Sequence, residues 1–152
     1  RLDPNHPNRL VPGGRPVVTP AAMIGLSGSD SWALACPGGD VIVQAMAQVI
    51  WRVLTENIEL QESVEYPRLA AFNAPSAFHP HPSADRLVFA EERIDREVIK
   101  KLLDQGHRVE IWPKFEFDAG SVQTIKSSLN KNGERTLFAA ADPRRSAYGL
   151  AE

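Results

Sequence analysis

The chain has 152 residues, of which 43% are hydrophobic and 24% charged, and its formal net charge is −2 at pH 7. This apolar content excludes a disordered chain, and the lack of an uncharged apolar run of about 18 residues argues against a membrane span. A pI near 6.1 gives no basic footprint for nucleic acid. A single cysteine, Cys36, excludes an intrachain disulfide and a zinc cluster built on thiolates. We therefore expect one domain's length of globular chain with neither a nucleic-acid nor a membrane partner.

The first 20 residues are rich in proline. They hold five of the chain's 12 prolines, and their apolar residues follow neither a helical nor an alternating pattern. Proline restricts φ and lacks a backbone N–H, so this segment cannot be a helix or a central strand. We expect residues 1–20 to be an extended arm or a disordered tail and residues 21–152 to be the globular part. A signal-peptide pattern is also missing from this segment.

A β-hairpin and a long apolar helix are predicted next. Two short apolar runs, 21–26 and 32–36, flank a small polar turn, which is typical of a hairpin. The pattern over residues 41–56 is helical, and Asp40 is a suitable N-cap. Its polar positions form one narrow stripe: Gln44, Gln48, Arg52 and Thr55. Because nearly every other position is apolar, we expect this helix to be buried on several sides.

The rest of the chain alternates between short helices and strands. Asn132-Gly133 is the turn signal between the last two strands, and Gly106 stands where a left-handed C′ residue ends a helix. The predicted elements are a helix over 60–66 that stops at Pro67, a loop over 73–85, a strand over 87–90, a helix over 95–105, a strand over 108–112, and paired strands over 122–125 and 136–140. Together these elements predict a mixed α+β fold with antiparallel hairpins and one deeply buried helix.

The turn Pro37-Gly38-Gly39 lies between a strand and the buried helix. Glycines allow a ligand to approach the backbone, and the helix start adds unpaired N–H donors and the positive end of the helix dipole. Such a place favours a carboxylate or an oxyanion that develops on an attacked carbonyl. A plain tight turn is the alternative, and Gly-Gly alone does not decide between the two.

Three other polar groups are weaker candidates. His79 and His81 could hold a metal, but without a nearby carboxylate or thiolate they make an incomplete ligand set, so we expect no metal site. The segment 142–145, Asp-Pro-Arg-Arg, could clamp an anion or, as the simpler interpretation, pin the C-terminal segment through an Asp–Arg pair. His107 is most simply a packing or capping residue after the helix that Gly106 ends.

Six blocks of sequence, taken in order, define a more specific pattern. They are Pro12-Gly13-Gly14-Arg15-Pro16 with 19–23, Pro37-Gly38-Gly39 with Gln44 and Gln48, Pro67-Arg68, Gly106-His107, 120–123, and 140–145 with Tyr148-Gly149. This succession resembles the C-terminal portion of the γ-glutamyltranspeptidase family of N-terminal-nucleophile hydrolases. The resemblance implies part of an αββα sandwich, with antiparallel strands and flanking helices.

The resemblance also implies an enzyme that processes itself. In the family a zymogen cuts itself into a heterodimer, and the new N-terminal Thr of the small subunit is the nucleophile, with its own α-amino group as base. Gly38 and Gly39 match the pair that forms the oxyanion hole and are the candidate catalytic residues. Arg15, Thr19 and Asp40 are the candidate substrate-binding residues. The resemblance implies neither a cofactor nor a metal.

No residue of this chain matches the nucleophile. We therefore expect the chain to be the C-terminal part of a small subunit, inactive alone, with the remainder of the precursor as its partner. The family's Ser-Ser pair, which holds a substrate carboxylate, is also missing, because Val17, Val18 and Thr19 follow Arg15-Pro16. This departure favours an amide substrate other than glutathione, such as a small acidic amide, an acyl side chain or a polyglutamyl polymer.

A non-catalytic domain that binds a partner or an anion through the proline-rich arm or the Gly38-Gly39 helix start is the alternative. The two hypotheses differ for the isolated chain, since a fragment of an enzyme should leave the apolar helix partly uncovered and aggregate or need a partner. The compartment, cytoplasmic or periplasmic, is left open, because a signal peptide would lie on the missing part.

Overall fold

The computed structural model describes residues 3–15 and 18–150. Three α-helices and seven strands follow one another within these residues. They are β1 (Ala22–Ser27), β2 (Asp30–Ala35), α1 (Ile42–Trp51), α2 (Leu60–Glu65), β3 (Leu69–Ala71), β4 (Leu87–Glu91), α3 (Arg96–Asp104), β5 (Arg108–Trp112), β6 (Gln123–Leu129) and β7 (Arg135–Ala141). Residues before β1 that the structure describes form turns, with neither helix nor strand. Among the described residues, none of the helices has the length and apolar character that crossing a bilayer requires.

Four antiparallel strands form the larger sheet, in the order β1-β2-β6-β7. Both hairpins predicted from the sequence are present. The β6 strand begins one residue later than predicted and continues four residues further toward the turn, and β7 is one residue longer at each end. The two hairpins meet through β2 and β6, where Trp32 pairs with Lys126 and Leu34 with Thr124. Because these residues share one face, that face carries the buried Trp32 and Leu34 into the core.

The smaller sheet has the order β3-β4-β5. Its β4–β5 pair is parallel and is connected through α3, a pairing that the predicted antiparallel hairpins did not include. The predicted α3 is confirmed within one residue at each end, with Asp95 accepting the Glu97 N–H as N-cap. Gly106 ends this helix with a φ of 84°, and the backbone N–H of His107 caps the Leu102 carbonyl, so the capping interpretation of His107 is confirmed.

The core lies between the larger sheet and the helices α1 and α2. Its residues are mostly aliphatic and come from β2, α1, α2 and the ends of β6 and β7: Trp32, Leu34, Cys36, Ile42, Ala45, Met46, Val49, Leu60, Val64, Val122 and Ala140. Burying such side chains is the main stabilising contribution to the fold. The long predicted helix is present as α1, preceded by a 3-10 turn (Gly39–Val41) and continued by a π-helical turn (Arg52–Glu56).

Burial of α1 is one-sided, so the prediction of burial on several sides is wrong for this chain. Val49 is fully buried, whereas Val43 and Trp51 are 70% and 62% exposed. The physical reason is that, within the described residues, the larger sheet and α2 pack against the core side of the helix and β3 bonds to its polar stripe, which leaves the side with Val43 and Trp51 exposed. The outer apolar stripe of α1 is consequently left without a packing partner there.

The polar stripe of α1 has a structural role. Gln44 donates to and accepts from the backbone of Ala71, at 3.0 and 2.8 Å, and Gln48 does the same with Leu69, at 2.9 and 3.1 Å. An amide side chain offers both a donor and an acceptor, so each glutamine replaces a neighbouring strand along the edge of β3. Gln61 of α2 pairs in the same way with Ala141 at the edge of β7. These glutamines hold both helices to the sheets.

Candidate active site

The turn between β2 and α1 contains two glycines in unusual conformations. Gly38 has a φ of 151° and Gly39 a φ of 62°, values that residues with a Cβ rarely adopt. A Cβ on Gly38 would lie 2.9 Å from Val41 Cγ2 and 3.1 Å from Gly120 Cα. A Cβ on Gly39 would lie 2.9 Å from the ring of Phe78. Both positions therefore require glycine for conformational and for steric reasons.

Backbone contacts hold this turn against the segment before β6. The Ser121 N–H donates to the Pro37 carbonyl over 3.3 Å, and the Gly120 carbonyl accepts from Arg68 Nη1 at 2.7 Å. Among the hydrogen bonds of residues 3–15 and 18–150, neither the Gly38 nor the Gly39 N–H is a donor. Two backbone donors at the start of a helical segment are therefore left for an acceptor outside these residues.

A cleft of about 880 Å³ lies beside the two glycines. It brings together four of the five predicted site residues, namely Gly38, Gly39, Arg15 and Thr19. Pro16 and Val17, which belong to the same sequence block, lie outside the described residues. The wall is completed by residues of the arm, of the turn and of the loop before β4: Asn8, Arg9, Leu10, Val11, Gly14, Val18, Pro20, Cys36, Pro37, Ile42, Ala77, Phe78, His79 and His81.

Asp40 does not line this cleft. It lies within the 3-10 turn rather than at a helix N-cap, and no side chain caps either that turn or α1. Its Oδ1 instead accepts the Ala77 N–H at 3.0 Å. The prediction that Asp40 caps the helix is therefore wrong, because the tight 3-10 entry places Asp40 one residue inside the turn and directs its carboxylate to the loop.

His79 and His81 both line the cleft. The Nδ1 of His81 lies 2.8 Å from the Ser76 carbonyl oxygen, so it is the protonated nitrogen of that ring. In the part of the chain that the structure describes, no three histidine, cysteine or acidic residues come together as metal ligands. The two imidazoles belong to the cleft wall.

A buried network of charged side chains lies behind the glycine turn. Arg144 makes a bidentate pair with Glu91, at 2.7 and 2.6 Å, and contacts Asp142 at 3.0 Å. Arg68 contacts the other oxygen of Asp142 at 2.5 Å. All four side chains are buried, and Arg93 adds a third guanidinium at 2.9 Å from Glu91. The segment 142–145 therefore pins the C-terminal segment, and its two buried members are not an anion clamp.

The two buried arginines differ in their electrostatic surroundings. Burial lowers the pKa of the Arg68 guanidinium, and the charge of Asp142 offsets part of that effect. Burial also acts against the charge of Arg144, but hydrogen bonds with Glu91 and the charge of Asp142 outweigh it and raise its pKa. Arg144 interacts with two carboxylates and Arg68 with one, which explains the difference. Both arginines stay charged, so removing either partner would leave a buried charge unbalanced.

This network supports the glycine turn through one segment of backbone. Asp142 Oδ2 accepts the Val122 N–H at 3.0 Å, and Arg68 donates to the Gly120 carbonyl. Ser121 lies between Gly120 and Val122, and its N–H donates to the Pro37 carbonyl of the glycine turn. The sequence alone pointed to Arg68 only as half of a matched dipeptide, and it did not single out Glu91 or Phe78. Glu91 is the last residue of the buried strand β4. A charged residue directly after an apolar run was the sequence signal that could have indicated a buried ion pair.

Cys36 provides a first prediction. Its side chain is 5% exposed, its Sγ donates to the Pro37 carbonyl at 3.1 Å, and burial raises the pKa of the thiol. Because only the thiolate reacts, we expect iodoacetamide at pH 7.5 to leave Cys36 unmodified in the folded protein and to modify it after unfolding in urea, as measured by peptide mass spectrometry. A raised folded-state pKa adds stability below the ordinary thiol pKa, and this contribution is lost as pH rises through the folded value. Rapid modification of Cys36 without urea would contradict the prediction.

Sequence comparison places the chain in a family. Residues 1–151 match the sequence model of the family described as gamma-glutamyltranspeptidase. The chain is also 29% identical over 152 residues to glutathione hydrolase proenzyme 1 of Schizosaccharomyces pombe, and the match covers 99% of this chain and 21% of that protein. The chain thus spans about a fifth of the length of this curated relative.

Solved structures of transpeptidases share the fold. The Bacillus anthracis transpeptidase CapD superposes with a TM-score of 0.72 at 18% identity, over 93% of this chain and 75% of that one. The gamma-glutamyltranspeptidase of Pseudomonas nitroreducens complexed with L-DON gives a TM-score of 0.67 at 21% identity, over 97% of this chain and 69% of that one. The α+β fold of this chain is therefore shared with these transpeptidases, and the α+β class is the one that the sequence predicted. This chain belongs to the gamma-glutamyltranspeptidase family, whose members include hydrolases and transferases.

Proposed function

We propose that this chain is the C-terminal segment of a γ-glutamyltranspeptidase-like amidohydrolase or acyltransferase. In this proposal an N-terminal Thr on the missing part of the small subunit is the nucleophile, and Gly38 and Gly39 form its oxyanion hole. The observation that carries the proposal is the cleft, where both glycines lie with Arg15 and Thr19. The name proenzyme in the S. pombe relative supports a self-processed precursor.

The glycine turn suits the chemistry of acyl transfer. When the Thr hydroxyl attacks the amide carbon, negative charge develops on the carbonyl oxygen. The N–H groups of Gly38 and Gly39, which have no acceptor among the described residues, would donate to that oxygen. One such donor contributes about 2.7–4 kcal/mol to transition-state stabilisation. The amide then releases its amine, and water or a second amine takes the acyl group.

The charges of the cleft support an acidic amide as substrate, and the missing serine pair supports one other than glutathione. Arg9 and Arg15 line it, and no Asp or Glu is among the described residues that do so. Val18 and Thr19 also line it, next to the position where the family's serine pair would hold a substrate carboxylate. A valine side chain has no donor, so Arg15 and Thr19 are the groups proposed to bind that carboxylate. Asp40 lies outside the cleft and is not among the groups proposed to bind substrate.

The outer face of the larger sheet supports a missing partner. Ile24 and Leu26 of β1 are 79% and 81% exposed, and Ile125 and Leu137 continue the same apolar face across β6 and β7. An apolar face of this extent is typical of an interface. We propose that the remainder of the precursor covers it, so that the isolated chain is inactive and associates through this face.

A mass spectrum of the protein purified from its natural source tests this proposal. We expect two chains that derive from one precursor: a large subunit, and a small subunit that begins with Thr and contains residues 1–152 in its C-terminal part. Because the nucleophile is on the missing segment, 1–152 produced alone should hydrolyse no γ-glutamyl anilide. A folded, monomeric 152-residue chain found alone in the cell would contradict the proposal and favour a non-catalytic binding domain that uses the arm and the Gly38-Gly39 helix start.

A further inference from the structure

The loop between β3 and β4 places an aromatic ring on the glycine turn. Phe78 lines the cleft, and its Cε2 and Cζ lie 2.9 and 3.4 Å from the position that a Cβ on Gly39 would occupy. The ring therefore packs directly over the Gly39 backbone. Phe78 is nevertheless 54% exposed, so half of the side chain is left for contact with a molecule in the cleft. An apolar wall adjoins the place where a carbonyl oxygen would bind.

Three hydrogen bonds hold this loop in position, one to the glycine turn and two within the loop. Asp40 Oδ1 accepts the Ala77 N–H at 3.0 Å, and the Ser76 hydroxyl accepts the Phe78 N–H at 3.0 Å. The His81 N–H donates to the Phe78 carbonyl at 2.6 Å. Asp40 is the only one of these partners that lies in the glycine turn itself. Its carboxylate therefore couples the position of the ring to the position of the turn.

We propose that Phe78 is a specificity-determining residue that contacts the acyl chain of the substrate, and that Asp40 is its positioning residue, acting through the Ala77 N–H. This inference rests on the proposed function. When Gly38 and Gly39 bind the carbonyl oxygen of an acyl group, the first methylene groups of that acyl chain lie close to Gly39. The Phe78 ring packs on Gly39, so it is positioned to contact these methylene groups. Aromatic rings bury methylene groups favourably, so chain length is distinguished at this wall.

A double-mutant cycle in the full-length, processed protein tests the inference. The probes are p-nitroanilides of acyl groups that differ in length: γ-glutamyl, β-aspartyl and acetyl. We expect F78A to raise KM for the longest accepted acyl chain about 10-fold, with kcat changed much less, and to reduce the discrimination between chain lengths. D40A should act in the same direction and have no further effect in the F78A background. D40N keeps an acceptor oxygen for the Ala77 N–H and should recover most of the loss.

F117A is the matched control. Phe117 is 57% exposed, close to the 54% of Phe78, but it packs on Arg145 and does not line the cleft. We expect its kinetic constants to equal those of the wild type. If the wild type is active and the KM of F78A is within twofold of the wild-type value, the inference is wrong and the proposed function still stands. The same holds if D40A still raises KM in the F78A background. A processed wild type that cleaves none of the three anilides would contradict the proposed function and the inference with it.

Discussion

Replacing Gly38 by alanine in the full-length protein is expected to lower kcat about 10²–10³-fold, the loss typical of one oxyanion-hole donor. The added Cβ would lie 3.1 Å from the Gly120 Cα, and that backbone is itself held by Arg68. The Gly38 segment must therefore move, and its N–H moves with it. Since the donor acts on the charge that develops during attack, KM should change little. Steady-state kinetics of the processed enzyme measure both constants.

Gly28 supplies the matched control for this substitution. It has a φ of 58° in the hairpin turn of β1 and β2, and a Cβ there would meet nothing within 4 Å. G28A thus introduces the strain of a left-handed alanine without displacing any neighbour, and it should reduce stability by about 1 kcal/mol and leave kcat unchanged. Equal kinetic losses in G28A and G38A would show that the loss comes from general destabilisation and not from the glycine turn.

Replacing Arg144 by methionine is expected to destabilise the protein by about 3–5 kcal/mol, because it removes one partner of a buried charge network. Glu91 loses its bidentate partner, and Asp142 loses one of two guanidinium groups. The Tyr66 carbonyl loses its arginine donor, and the Val64 carbonyl keeps only the one from Arg68. Urea unfolding followed by tryptophan fluorescence measures the change, since Trp32 lies in the core.

The neighbouring arginine is the control for R144M. Arg145 is half-buried and stacks over Phe117, with the guanidinium carbon 3.9 Å from the ring centre, and it makes no ion pair among the described residues. R145M keeps most of the packing and should cost about 1 kcal/mol or less. A loss of less than 1 kcal/mol in R144M would contradict the structural role assigned to the 142–145 segment. Because both arginines come from one sequence motif, the comparison assigns the difference to participation in the buried charge network.

The coarse fold could be predicted because its signals are local. The β1–β2 hairpin and the helix α3 each show their apolar period and their turn or cap residues within about ten positions. The strand β3 was missed, since three residues are too few to show an alternating pattern. Its edge is completed by Gln44 and Gln48, which the sequence identified only as a polar stripe. Hydrogen bonds between a helix and a strand more than 20 residues away leave no periodic signal.

The candidate site was predictable to a similar extent. Gly38 and Gly39 were identified from the sequence because two glycines before a helix allow a close approach to the backbone that other residues would block. The structure adds that Arg15 and Thr19 reach the same cleft, and that Asp40 points to the Ala77 N–H instead. The direction of one carboxylate depends on whether the helix begins with a 3-10 turn or an α turn. Tertiary packing selects the 3-10 turn here, and this choice shifts the start of the helical segment relative to Asp40 by one residue.

The sequence by itself determined the composition class, most helices and strands, the family and the position of the glycine turn, because each depends on residue type and spacing along the chain. Only the tertiary structure decided which groups surround that turn. It placed Phe78 over Gly39, directed Asp40 to the loop and buried Arg144 between Glu91 and Asp142. These contacts join residues as far as 53 positions apart. Their energies depend on distance and burial in space, which no local pattern of residue types records.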